Sequence, residues 1–213
     1  MLTRLRDPIS ALTHLASAAA ALIGMAALLL LSEKTTARII SLTIYGASLV
    51  LLFLASGTYH AVRSTPEVVQ IFRKIDHAAI YLLIAGSYTP FCMIAFSGFW
   101  KWGLLAIIWA LAGTGIVIKV FTVHAPRWVT AGVYVAMGWL SVLALREMLA
   151  ALSTGTILWL FTGGVIYTLG ALVYVTKKLE IIPGVFGFHE VWHIFVTLGA
   201  AAHFIAVMTL IAA

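Results

Sequence analysis

Seven stretches of largely apolar residues follow one another along the 213-residue chain, at 11–31, 39–60, 75–96, 102–120, 128–145, 157–175 and 189–211. A helix needs about 20 such residues to cross the ~30 Å hydrocarbon core of a bilayer. The pattern predicts an all-α integral membrane protein: one domain over residues 1–213, with seven transmembrane helices. Composition leaves little room for anything else. The chain is 63% hydrophobic and 9% charged, with a mean hydropathy of +1.10. A soluble domain carries roughly 25% charged residues. Arg4 and Arg6 ahead of the first stretch give it the look of a signal peptide. Its apolar run is longer than the ~7–15 residues of a signal core, so it reads as a first helix that stays attached.

The breaks between stretches are short and polar. They fall at 32–36, 63–74, Ser97-Gly98, the segment around His124-Ala125-Pro126-Arg127, Arg146-Glu147, and 177–187, where Pro183-Gly184 stops any helix. Trp100, Trp102 and Trp128 lie at span ends, as an interfacial aromatic belt requires. Asp7-Pro8 reads as an N-cap followed by proline at the first helical position. Small residues at 16–21 and 112–115 let helices approach closely. Cys92 is alone, which excludes an intrachain disulfide.

Basic residues set an expected direction. Arg4, Arg6, Arg63, Arg73, Lys74, Lys119, Arg127, Lys177 and Lys178 fall on one side, and Lys34, Arg38, Lys101 and Arg146 on the other. The positive-inside rule puts the N-terminus in the cytoplasm and the C-terminus outside. The net charge of +6 is then read as contact with anionic lipid, not nucleic acid.

Polar residues inside such a chain are functional candidates. Three clusters stand out: Ser56-Gly57-Thr58-Tyr59-His60, Asp76-His77, and His189-Glu190-Val191-Trp192-His193. They end the second span, begin the third and begin the seventh, so span parity brings all three to one membrane face. Residues four apart share a helix face, which pairs His189 with His193 and puts Ser56 one turn from His60. Imidazole suits zinc, and a catalytic zinc keeps three protein ligands and an open position. The expected metal ligands are His60, His189 and His193. Asp76 is the candidate to hold or deprotonate a water, and Ser56 a neighbouring or substrate-polarising group. The bland alternative is that these histidines bond between helices.

Residues 189–193 also fit the metalloprotease pattern H-E-x-x-H. No third ligand of the usual kind follows, and Glu190 at a helix start has a simple role against the macrodipole. His77 points about 100° from Asp76 and reads as a packing or hydrogen-bonding residue. His14, Thr13 and His203 read as hydrogen bonders. Ser87 reads as interhelical packing, with a cavity lining as the alternative.

At these residues the chain resembles the bacterial hemolysin III family, of the progestin and adipoQ receptor-like group and the wider alkaline ceramidase-like superfamily. The matching pieces are residues 7–14, Ser56 with His60, residues 74–81, 85–90, 126–128 and 163–168, and 186–190 with His193, in order along the chain. The resemblance implies seven helices around a zinc ion near the cytoplasmic face of the bacterial inner membrane. It implies His60, His189 and His193 as ligands, Asp76 reaching zinc through a water, and Ser56 close by. One departure is Leu15, where the family usually has glycine after the first-span histidine.

Three activities compete. One is a zinc-dependent hydrolase acting on a lipid amide or ester. Another is a non-enzymatic regulator of membrane lipid composition or fluidity, holding a lipid amide or fatty acid in the bundle. The third is a pore-former with cytolytic activity, as the family name suggests.

Overall fold

The computed structural model describes residues 5–122, 125–183 and 185–212. Arg4, His124 and Gly184 lie outside them. Among the described residues, seven helices are long and apolar enough to span a membrane: α1 (Pro8–Leu31), α2 (Thr36–Ala61), α3 (Pro66–Ala95), α4 (Gly98–Phe121), α5 (Arg127–Ala151), α6 (Thr154–Thr176) and α7 (Phe188–Ala212). The only β pairing among them is one bridge between Ile182 and Phe186 in the α6–α7 connection.

Two expected breaks are helical instead. Residues 66–74, expected as loop, form the first turns of α3, with Pro66 at its start and Glu67 in its first turn. Proline is tolerated there because the first N–H groups have no intrahelical partner anyway. Arg146 and Glu147, also expected as a break, lie in the last helical segment of α5. Glu147 Oε1 accepts from the backbone N–H (2.9 Å) and hydroxyl (3.0 Å) of Ser97 ahead of α4. Glu147 therefore ties the end of α5 to the start of α4.

α2 and α3 are the most enclosed spans, and α5 and α6 the most exposed. Tyr45, Leu49, Leu52 and Phe53 of α2 pack with Tyr81, Leu83 and Phe91 of α3 and Val207 of α7 to form the core. Large apolar side chains such as Ile23, Leu30, Phe121 and Leu158 face outward, where lipid replaces water as their surroundings. α1 lies against α2 and α7, α6 lies against α7, and α5 leans mainly on α6. A space is left between α3, α5, α6 and α7.

Two irregular segments flank this space. Pro90 has no N–H to continue the ladder of α3, and the helix widens into a π segment at Phe91–Ala95. α5 tightens into a 3₁₀ segment at Leu140–Ala144. Tyr88 accounts for the second. Its hydroxyl shares its proton between the carbonyls of Met137 (2.7 Å) and Gly138 (2.8 Å) and accepts from the Ser141 N–H (2.8 Å). In an unbroken α-helix the Ser141 N–H would bond to Met137 carbonyl. The phenol is inserted into that rung, and inserted side chains are a recognised cause of helix distortion.

One further contact explains the substitution at Leu15. A Cβ added at Gly57 would lie 2.8 Å from Leu15 Cγ. Gly57 of α2 leaves the room that the Leu15 side chain of α1 fills.

Tyr88→Phe removes a partner from the buried Met137 carbonyl, the Gly138 carbonyl and the Ser141 N–H. We expect a loss of about 1–3 kcal/mol in unfolding free energy, the usual cost of stranded buried polar groups. Denaturation of the purified protein in mixed micelles measures it. Unchanged stability would mean that the α-helical rung closes in its place.

Candidate metal centre

The end of α2 and the start of α7 meet as span parity requires. His60, His189 and His193 each offer a ring nitrogen within 4.8 Å of the others. The ring centroids are 5.0 Å apart for His60–His189, 4.7 Å for His60–His193 and 4.9 Å for His189–His193. The three rings form a near-equilateral triangle. The Nε2 atoms of His60 and His189 are 3.3 Å apart. Tetrahedral zinc with Zn–N bonds of ~2.0–2.1 Å sets its nitrogens roughly 3.3–3.4 Å apart. His193 is buried, and its Nδ1 has no hydrogen-bond partner. One nitrogen pair has that spacing, and the three histidines together could hold a metal ion.

Asp7 has a role that the sequence did not reveal. It occupies the N-cap position of α1, but its side chain makes no capping bond. Its Oδ2 instead lies 2.8 Å from His60 Nδ1, while its own backbone N–H donates to the His60 carbonyl at 2.9 Å. Arg6 Nε donates to the same carboxylate oxygen at 3.1 Å. Partial burial pushes the Asp7 carboxyl up, but the His60 and Arg6 contacts outweigh it and hold it below the ordinary range. An ionised carboxylate can only accept, so Nδ1 of His60 carries the proton and Nε2 keeps its lone pair for a metal. A carboxylate behind a metal-binding histidine fixes its tautomer and orientation in this way. The available signal was parity: the start of α1 lies at the same face as the end of α2.

Glu190 takes a different job from the metalloprotease base. Its Oε2 accepts from the Gly187 N–H (2.9 Å), three residues back, as the third helical residue of a capping box does. Its Oε1 accepts from Ser10 Oγ of α1 (3.3 Å). Both oxygens anchor the start of α7, which argues against the proteolytic reading.

Ser56 and Asp76 are both buried, and the Ser56 side chain acts on the Asp76 carboxylate. Both line a cavity of about 200 Å³ together with all three histidines. Asp76 is not one of the residues whose ligand atoms cluster with the histidine nitrogens. The cavity continues between α3, α5, α6 and α7 past Ile84, Tyr88 and Phe161 to Phe96 and Met148 near the opposite face. Most of that length is walled by apolar side chains.

The remaining polar residues separate clearly. His14 stacks on His193 with centroids 3.9 Å apart and places Nε2 3.4 Å from the His193 carbonyl. It buttresses the triad from α1. His203 Nε2 lies 3.2 Å from the Leu160 carbonyl, the interhelical bond expected of it. Thr13 donates back to the Ile9 carbonyl within its own helix (2.8 Å). Ser87 does likewise to Leu83 (2.8 Å) and also lines the cavity, as does His77.

A family model described as "Haemolysin-III related" matches residues 2–204. The chain belongs to this family. It is 37% identical to Hemolysin-3 of Bacillus cereus over 203 residues, 93% of this chain and 89% of that one. It is 40% identical to the Hemolysin-3 homolog of Bacillus subtilis (strain 168) over 172 residues, 80% and 76% of the two chains. The human Monocyte to macrophage differentiation factor is 32% identical over 200 residues, 92% of this chain and 80% of that one. The last match extends the relationship to the progestin and adipoQ receptor-like proteins.

In this haemolysin-III-related chain, a metal ion held at the triad should bind about 10–100-fold more weakly after Asp7→Ala, the usual effect of losing a carboxylate behind a metal-binding histidine. Asp7→Asn, which keeps an acceptor, should lose less. Competition with a chromophoric chelator reads both affinities. Equal affinity in all three proteins would limit Asp7 to joining the two helix ends.

Proposed function

We propose that the protein binds zinc through His60, His189 and His193 and regulates membrane lipid composition by hydrolysing a lipid amide or ester. The observation that carries this reading is the cavity: its walls are apolar along most of their length, and it ends on the three histidines, Asp76 and Ser56. An acyl chain suits the walls, and a polar linkage at its end would then lie among the groups that do chemistry. Ligand sites are built this way, with apolar walls and a few placed polar groups.

Zinc held at the three nitrogens supplies Lewis-acid polarisation and activation of water. The chain's residues do the rest. Asp76 serves as general base, accepting a proton from the attacking water and returning it to the leaving amine or alcohol. The Ser56 hydroxyl lines the same end of the cavity and is placed to orient the Asp76 carboxylate or the substrate. Asp7 holds His60 in the tautomer that leaves Nε2 free. The acyl chain fills the cavity and keeps bulk water from the site. The positive-inside count supports the N-terminus and the triad lying on the cytoplasmic side of the bacterial inner membrane.

The names of the Bacillus relatives favour a second reading, membrane lysis. Leakage of dye from liposomes caused by folded protein, but not by a denatured control, would support it.

Mass spectrometry of detergent-purified protein should find about one zinc per chain, as a three-ligand site predicts. A His189→Ala/His193→Ala double variant should have lost it. Asp76→Asn should keep the zinc and lose roughly 10²–10⁴-fold in lipid hydrolysis, the range of a general base. Wild-type turnover in Asp76→Asn would refute the mechanism, and folded wild type that takes up no zinc on loading would refute the site.

A further inference from the structure

The connection between α6 and α7 carries apolar side chains where a loop in water would carry polar ones. Leu179, Ile181, Ile182 and Val185 lie outside the spans and are each between 44% and 60% exposed. Lys177 and Lys178, immediately ahead of them, are exposed as well. Glu180 is the one acidic residue of 177–187, so the lysines outweigh it. The segment combines an apolar tip with a basic root.

The backbone of the tip is already bonded within itself. The N–H groups of Ile181 (2.9 Å) and Ile182 (3.1 Å) donate to the Phe186 carbonyl. Those of Val185 (3.0 Å) and Phe186 (2.8 Å) donate to the Ile182 carbonyl. Pro183 has no N–H to satisfy. A turn closed in this way can leave water for the edge of a bilayer without stranding these groups. Its place in the chain keeps it at that edge: α6 ends at Thr176, α7 begins at Phe188, and residues 177–187 alone join the two spans. Trp128, 67% exposed at the start of α5, marks the membrane interface at the same end of the bundle.

We propose that residues 177–187 are a membrane-docking hairpin that recognises an anionic lipid surface on the triad side of the bilayer. Leu179, Ile181, Ile182 and Val185 enter the headgroup region, and Lys177 and Lys178 meet the phosphates of anionic lipids there. An apolar anchor beside basic residues is the two-part signal of segments that lie in such a surface. Zwitterionic headgroups would give the lysines no net charge to meet. The hairpin bridge ends at Phe186, directly ahead of the helix that carries His189 and His193. The proposal depends neither on a metal at the triad nor on what fills the cavity.

The test is spin labelling of the full-length protein in lipid nanodiscs, at Val185→Cys in a Cys92→Ala background. Collisions with oxygen, which concentrates in lipid, are compared with those of a neutral nickel chelate, which stays in water. A label at Ser64→Cys, exposed in the α2–α3 connection, is the aqueous reference. In discs containing phosphatidylglycerol, the label at 185 should favour oxygen and the label at 64 nickel. A lysine beside an anionic surface is worth about fivefold in partition, so Lys177→Gln/Lys178→Gln should shift the label at 185 toward water by roughly 25-fold. Discs of pure phosphatidylcholine should shift the unsubstituted hairpin in the same direction. Leu179→Ser/Ile182→Ser should expose the label even with phosphatidylglycerol present. Nickel access equal to that at 64 in both kinds of disc would overturn the proposal. An oxygen preference indifferent to phosphatidylglycerol and to the lysines would overturn it as well, since the hairpin would then read no charge. A label shielded from both reagents would put a protein surface, such as a second copy of the chain, over the hairpin and overturn it too.

Discussion

A bilayer interior offers no water to a freed backbone group, and this constraint shapes the protein from end to end. Each departure from regular helix must find its partners inside the protein or along a cavity. The widened turn after Pro90 and the tightened turn at Leu140–Ala144 both flank the internal cavity, and the Tyr88 hydroxyl serves three backbone groups at the second. The cavity and the irregular backbone are therefore a single arrangement. Straight, fully packed helices would leave no room for a ligand, and broken helices without the phenol would strand polar groups in oil.

The same scarcity of water explains the polar end of the bundle. The start of α1 is fastened to the end of α2 by Asp7, and the start of α7 is fastened to α1 by Glu190 and Ser10. Three helix ends that carry or support the histidines are thereby fixed relative to one another. Sites held on rigid elements with supporting hydrogen bonds keep their geometry better than sites on loops.

Seven spans, their order and the convergence of His60, His189 and His193 could be read from the sequence, because span parity and four-residue helical spacing are strong constraints. Helix boundaries were less visible. The stretch 66–74 looks like a loop by its charge, yet it is helical because Pro66 and Glu67 make a good helix start and its polar side chains lie at the membrane edge. Asp7 was concealed by its own ambiguity: Asp-Pro is a strong capping signal, and only the fold reveals that the carboxylate turns to His60 instead. Glu190 shows the reverse case, in which a catalytic-looking residue caps the backbone N–H of Gly187 at the start of its own helix. Tyr88 gave no local signal, since its meaning depends on which carbonyls a distant helix presents.

The contact between Leu15 and Gly57 has a consequence for how such chains diverge. The two positions lie on different helices and share one volume. A leucine at 15 is tolerated only while 57 lacks a side chain, and glycine at both positions would leave a void. Drift at one site is thus conditional on the other, so the order in which substitutions arise matters. A leucine grafted alone into a relative with a bulkier residue opposite would be rejected there, although it is harmless here.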